Sequence, residues 1–302
     1  MGMPHELLLC FLFATGTIVG SFLNVVVYRL PRGGNLMFPG SRCPACGHDI
    51  RWYDNVPIVG WLWLGRQCRD CHVRISGRYP LVEFVVGVMF LAIGWTDWVR
   101  PESVFVEAQT AALAANPAIE VPPIGLEVYH LRFVHHLLLL CTLLAAALID
   151  FDGGRFARQL ITWPSAVGIL IAIGWPAVQA LPLVSSADPT TIHARFLALA
   201  TSFVGMLTAV IIRLAVFRVM GFERARSIGL SSATLAIYAV GAFFGWQATL
   251  LVGVIAVLWA LVAQSPRCKK SLGRVGPAMI VFFATTIWCL AESWIASVLH
   301  AR

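Results

Sequence analysis

The run LLLCFLFATGTIVGSFLNVVVY, residues Leu7 to Tyr28, decides the fold class. It contains no charged side chain, and a helix needs about 20 mostly apolar residues to cross a bilayer. Glu6 precedes it, with no basic stretch, and no small-residue cleavage site follows it. The run therefore reads as a retained anchor rather than a signal peptide. Comparable runs follow at about 80–98, 133–150, 159–183, 194–217, 231–245, 247–264 and 275–298. The pair around Gly245-Trp246 predicts a turn between two short spans. The expected fold is an all-α polytopic membrane protein of about eight transmembrane helices, with a small zinc-binding domain between the first two. Composition agrees: 59% of the 302 residues are apolar and 12% are charged. Soluble domains run near 45–50% and 25%. A soluble globular enzyme, a disordered chain and a nucleic-acid binder are thereby excluded.

The net charge of +7 follows topology rather than nucleic-acid binding. Arg29, Arg32, Arg42, Arg51, Arg66, Arg69, Arg74 and Arg78 lie between the first two runs. Arg155 and Arg158 follow the third, and Arg213, Arg218, Arg224 and Arg226 lie at or beyond the end of the fifth. Arg267, Lys269, Lys270 and Arg274 separate the last two. With eight spans these regions share one side and hold 18 of the 22 basic residues, which makes that side cytoplasmic. The stretch 99–132, with Glu102, Glu107, Glu120 and Glu127, then faces outward, as does Asp188. The chain divides into a first transmembrane helix (1–28), a cytoplasmic segment (29–79) and a membrane domain of about seven helices (80–302).

Eight cysteines are present. Cys10, Cys141 and Cys289 lie inside apolar runs and read as small hydrophobes. Cys268 sits in a basic loop and gives no further signal. Cys43-Pro-Ala-Cys46 and Cys68-Arg-Asp-Cys71 form two CxxC knuckles. Four thiolates complete a tetrahedral zinc site. The alternatives are two disulfides or four unrelated thiols, and a reducing cytoplasm disfavours the former. His48 and His72 stand beside the knuckles as substitute ligands. Four thiolates leave no open position, so the zinc is structural. A segment of this size builds little core, and metal binding then supplies folding energy.

Three stretches resemble the type IV prepilin peptidase family, prepilin leader peptidase/N-methyltransferases. They are Gly20-Ser-Phe-Leu-Asn-Val-Val-Val-Tyr-Arg-Leu-Pro31, then Ser41-Arg-Cys-Pro-Ala-Cys-Gly-His48 with Arg51-Trp-Tyr-Asp-Asn-Val-Pro57 and Gly60-Trp61, then Cys68-Arg-Asp-Cys71 leading through Ile75-Ser76 to Arg78-Tyr-Pro-Leu-Val-Glu83. The match covers about residues 18–85. The resemblance implies an aspartic endopeptidase of the cytoplasmic membrane face. It would remove a short basic leader from type IV pilin or pseudopilin precursors, in pilus or type II secretion systems. It would then methylate the new amine with S-adenosylmethionine. No glycine-rich nucleotide fingerprint points to a donor site in this sequence.

The C-terminal half is less similar. Ala147-Leu-Ile-Asp150-Phe-Asp152 resembles the family's first catalytic aspartate region, although the continuation here is Phe156-Ala157-Arg158. Gly241-Ala-Phe-Phe-Gly-Trp246 resembles the segment after the second motif, a Gly-x-Gly-Asp with a nearby Lys. Leu230-Ser-Ser-Ala233 stands there instead, with Leu235 at the Lys position. An aspartic protease needs an ionised carboxylate to activate water and a protonated one to donate to the carbonyl. Ala233 supplies neither. Beyond Asp152 the acids are Asp188, Glu223 and Glu292. Asp188 and Glu292 fall on the outer side, about 30 Å from Asp150. Glu223, on the inner side, is a substitute or a solvated charge beside Arg224 and Arg226. Asp152 is two residues from Asp150 and points to another side of a helix. Asp150 itself is either the surviving catalytic carboxylate or a solvated helix-end charge. The expected function is a family member impaired in proteolysis. The alternative is a non-catalytic scaffold or pilin-binding factor with a structural zinc domain.

Overall fold

The computed structural model describes residues 4–99, 126–154, 159–179, 192–221, 230–263 and 275–300. These hold eight helices: α1 (His5–Arg29), α2 (Val59–Trp63), α3 (Arg78–Gly94), α4 (Leu126–Phe151), α5 (Gln159–Gly174), α6 (Ile192–Met220), α7 (Leu230–Ala263) and α8 (Pro277–His300). A short π turn, Trp95–Val99, continues α3. Among the described residues there is no β-strand, only two isolated bridges. Five helices are long and apolar enough to cross a membrane, so this is a multi-pass membrane protein. The chain forms two compact units, Met1–Trp95 and Thr96–Arg302.

In the first unit α1 and α3 pack side by side. A Cβ on Gly16 would meet Gly87 Cα at 2.8 Å, and one on Gly20 would meet Glu83 Cα at 2.7 Å. The rising numbers on one helix pair with falling numbers on the other, so the helices are antiparallel. Between helices in lipid, close packing replaces hydrophobic drive, and small residues four apart permit it.

In the second unit α4 is the central helix. Leu139, Leu140, Leu143, Ala145 and Ile149 are fully buried. α6 is peripheral and turns Phe196, Phe203 and Leu214 outward, as a lipid-facing helix does. α6 packs on α7 through facing glycines: a Cβ on Gly241 would lie 2.5 Å from the Gly205 carbonyl carbon. All its nearest neighbours there are backbone atoms, which cannot swing away. Gly241→Ala is therefore expected to cost about 1–3 kcal/mol by overpacking. A fall in the thermal midpoint of the purified protein measures it, and an unchanged midpoint contradicts the packing.

The expected spans differ from the helices at several ends. α4 begins at Leu126 rather than 133. The run 159–183 yields a helix only to Gly174. Trp175 leaves the helical region (φ −134°, ψ 81°) because Pro176 follows it, and a residue before proline avoids the α conformation. The runs 231–245 and 247–264 are two limbs of α7 joined at Gly245 (φ 79°, ψ −163°), backbone geometry open essentially to glycine alone. The limbs fold back on each other: a Cβ on Gly253 would touch Ile237 at 3.7 Å, each eight residues from Gly245.

Candidate functional site

The cysteine segment is built from two copies of one knuckle, offset by 25 residues. In the first, Cys43 N–H donates to His48 O (3.0 Å), Gly47 N–H to Cys43 O (2.9 Å) and Ile50 N–H to Ser41 O (2.8 Å). In the second, Cys68 N–H donates to Val73 O (2.9 Å), His72 N–H to Cys68 O (3.0 Å) and Ile75 N–H to Arg66 O (2.8 Å). The bridges Arg42–Asp49 and Gln67–Arg74 obey the same offset. The residue after each second cysteine takes a left-handed turn, Gly47 at φ 75° and His72 at φ 57°. The possible metal-ligand group among the described residues is the four cysteines alone, without His48 or His72.

The four sulfurs of Cys43, Cys46, Cys68 and Cys71 lie within 4.8 Å of one another. Cys43 Sγ and Cys71 Sγ are 3.8 Å apart. A tetrahedron with Zn–S bonds of about 2.3 Å has edges of about 3.8 Å, so the donor set fits zinc. All four thiols are free. The backbone N–H groups of Cys46 and Ala45 lower the Cys43 thiol to about 6, while burial and the neighbouring sulfurs push Cys46 and Cys71 up. Two knuckles bring four sulfurs into one cluster, a donor set without a fifth candidate among the described His, Cys, Asp and Glu residues.

The loop between the knuckles is tied to the second one by Asp54, which is buried. Arg69, inside Cys68-Arg-Asp-Cys71, forks onto its carboxylate at 2.8 Å (Nε) and 2.5 Å (Nη2). Gly60 packs against the Asp54 carbonyl, where no side chain fits. The Arg69 hydrogen bonds hold Asp54 below the usual carboxylate range. Its native value lies below the unfolded one, near 3.9. The pair's contribution is thus full above about pH 4 and is lost as pH falls through the lowered native value. The stability difference between wild type and Asp54→Asn is expected to hold steady from pH 7 to about pH 4 and to shrink below it. Thermal midpoints across that range check this, and a difference that vanishes well above pH 4 contradicts it.

The second unit places Asp150 on the last turn of α4. Gly154 N–H bonds Ile149 O (2.9 Å) and Gly153 N–H bonds Asp150 O (3.0 Å). Gly153 at φ 64° completes this glycine cap, which ends the helix just beyond Asp150. Asp150 Oδ2 lies only 2.7 Å from where a Cβ on Gly276 would stand, at the start of α8. Next to Gly276, Val275 O accepts the Trp259 indole N–H at 3.2 Å. Trp259 is 14 residues past the Gly245 reversal and Ala233 is 12 before it, roughly 21 and 18 Å along the two limbs. Ala233, fully buried, therefore shares the Asp150 end of the unit. Asp152 is exposed. Glu223 and Asp188 lie outside the described residues, as do Arg155, Arg158, Arg224, Arg226, Cys268 and the basic residues of 267–274.

One buried cluster lies outside the sequence reading. Asp97 Oδ1 is 3.2 Å from Arg132 Nε, and its Oδ2 is 3.0 Å from His136 Nδ1. All three side chains are at most 3% exposed. Its signal is a carboxylate inside the run 80–98 and a cation at the start of 133–150. Asp97 is not a second carboxylate for Asp150: fourteen residues of α4, roughly 21 Å, separate His136 from Asp150.

Fold and site together define a helical multi-pass membrane protein with a four-cysteine cluster that fits a metal ion. Residues 14–96 match the bacterial peptidase A24 N-terminal domain. The chain is similar to prepilin leader peptidase/N-methyltransferases. It is 50% identical to that of Myxococcus xanthus (strain DK1622) over 100 residues, 32% of this chain and 30% of that protein. It is 46% identical to that of Klebsiella pneumoniae over 91 residues, 28% of this chain and 40% of that protein. It is 28% identical to that of Neisseria gonorrhoeae over 265 residues, 70% of this chain and 85% of that protein. The match thus spans less than half the length of the first two relatives. The resemblance is strongest in the N-terminal segment and weaker over the full chain. No solved structure matches.

Proposed function

We propose that this protein acts on type IV pilin or pseudopilin precursors at the cytoplasmic face of a bacterial inner membrane, with its proteolytic step impaired. The observation that carries the reading is the four-cysteine centre inside a segment that matches the A24 N-terminal domain. The zinc segment is cytoplasmic by the arginine bias around it. Cys43, Cys46, Cys68 and Cys71 hold one structural zinc. Asp150 is the surviving catalytic carboxylate, and Ala233 occupies its partner's position.

Asp150, ionised, takes a proton from the attacking water. A methyl group at position 233 donates no proton to the carbonyl oxygen or to the leaving amine. General acid–base help of this kind is worth about 10²–10⁴-fold, so leader removal is slow. Glu223 and Asp152 are the remaining candidates for the missing role. S-adenosylmethionine would supply the methyl group for the new pilin amine. No residue of this chain is assigned to it.

The reading is tested on reconstituted protein with two substrates, a prepilin carrying its basic leader and a pilin that already has a free N-terminus. Weak leader removal with retained N-methylation supports it. Efficient leader removal contradicts the impairment. Absence of both activities, with retained binding of the precursor, favours a scaffold that docks pilus or secretion components.

A further inference from the structure

We infer that α2 is an interfacial membrane helix, with Val59, Leu62 and Trp63 seated in the headgroup boundary of an anionic bilayer. Val59, Leu62 and Trp63 occupy positions i, i+3 and i+4, one face of a helix. They are 57%, 59% and 80% exposed. The opposite side is engaged: Gly60 is buried against Asp54, and the Trp61 indole N–H donates to Ile75 O at 3.1 Å. The exposed face is thus fixed in direction and has no covering segment among the described residues.

Its depth follows from the contacts of Ile58 and Trp61. Ile58, the residue before α2, donates its N–H to Glu83 Oε2 at 2.7 Å. Glu83 is five residues into α3 and level with Gly20, nine residues before the end of α1. The Glu83 side chain leans toward the start of its helix, and a Cβ on Gly77, just before α3, would lie 3.7 Å from the Trp61 ring, so α2 is level with the ends of the two spanning helices. Those ends carry Arg29, Arg78 and the exposed rings of Tyr28 and Tyr79, the residues that mark a membrane–water boundary. A helix held at that depth with its apolar face outward meets lipid.

Charge fits the same occupant. Residues 29–78 contain eight Arg and three Asp, a balance of +5. An anionic membrane surface attracts such a cationic segment. α1 and α3 are antiparallel, so both ends of the segment enter the same membrane face and hold it there.

The test uses the full chain in vesicles of equal parts phosphatidylcholine and phosphatidylglycerol. A diazirine amino acid replaces Leu62, Trp63 or, as a control, Asp49. Phospholipid adducts at 62 and 63, but not at 49, are expected. Adducts at 62 or 63 that are instead mostly protein would overturn the proposal, in favour of a peptide partner or a second copy. Solvent-quenched probes there would overturn it too. A second variant, Leu62→Asp/Trp63→Asp, is expected to keep its zinc while tryptic cleavage after Arg66 rises several-fold in vesicles. Unchanged cleavage with unchanged zinc would show a face that never touched lipid.

Discussion

Cys68→Ser is expected to release the zinc and unfold residues 41–73, while α1 and α3 stay inserted. The two knuckles share no extended sheet and little apolar interior; their common point is the sulfur cluster, all within 4.8 Å. A structural zinc in a small domain contributes roughly 10–16 kcal/mol of apparent binding energy at neutral pH. The Asp54–Arg69 fork is far weaker and cannot replace it. Wild-type protein is expected to carry one zinc per chain by elemental analysis, and the variant close to none. Limited proteolysis should then cut the variant within 41–73 and leave the spans intact. Zinc far below one equivalent in wild type would refute the centre. A protease-resistant segment in the variant would show that the knuckles fold without metal.

Ala233→Asp is the second large effect. Position 233 is fully buried on the first turn of α7, at the Asp150 end of its unit. The proposed function requires a carboxylate there to reach the one on α4 and share a proton with it, the arrangement that splits acid and base roles. Restoring the general acid is worth up to about 10²–10⁴-fold in leader removal. Ser232→Gly, combined with it, brings the stretch closer to the family's glycine-containing motif. The gain should disappear in Asp150→Asn/Ala233→Asp, because one carboxylate alone returns. If Ala233→Asp folds, binds zinc and cleaves no better than wild type, the peptide site has diverged along with its aspartate.

Much of the membrane fold and the metal centre is legible in the amino-acid sequence. Apolar runs of spanning length and four cysteines in two knuckles are local signals, and they appear in the molecule as helices α1 and α3–α8 and as a sulfur cluster. The Gly245 reversal is legible too, because glycine between two short apolar runs has few other uses. Pairings over distance are not. The 25-residue repeat is carried by backbone hydrogen bonds, while its side chains differ: Gly47 against His72, Asp49 against Arg74. Asp54 gives no signal because its partner Arg69 sits fifteen residues away inside the metal motif. The Asp97–Arg132–His136 cluster joins residues on separate elements, and no spacing rule links them. Helix ends shift where proline and glycine chemistry outweighs hydrophobicity, as at Trp175-Pro176 after α5.

In the proposed function this chain keeps the four-cysteine segment and Asp150 but lacks the second carboxylate of a peptidase. The most direct measurement is leader removal from a prepilin by purified wild-type protein in vesicles, beside Asp150→Asn. Weak or undetectable cleavage by wild type is expected. Efficient cleavage by wild type that Asp150→Asn abolishes would contradict it, and would make Glu223 the first residue to replace.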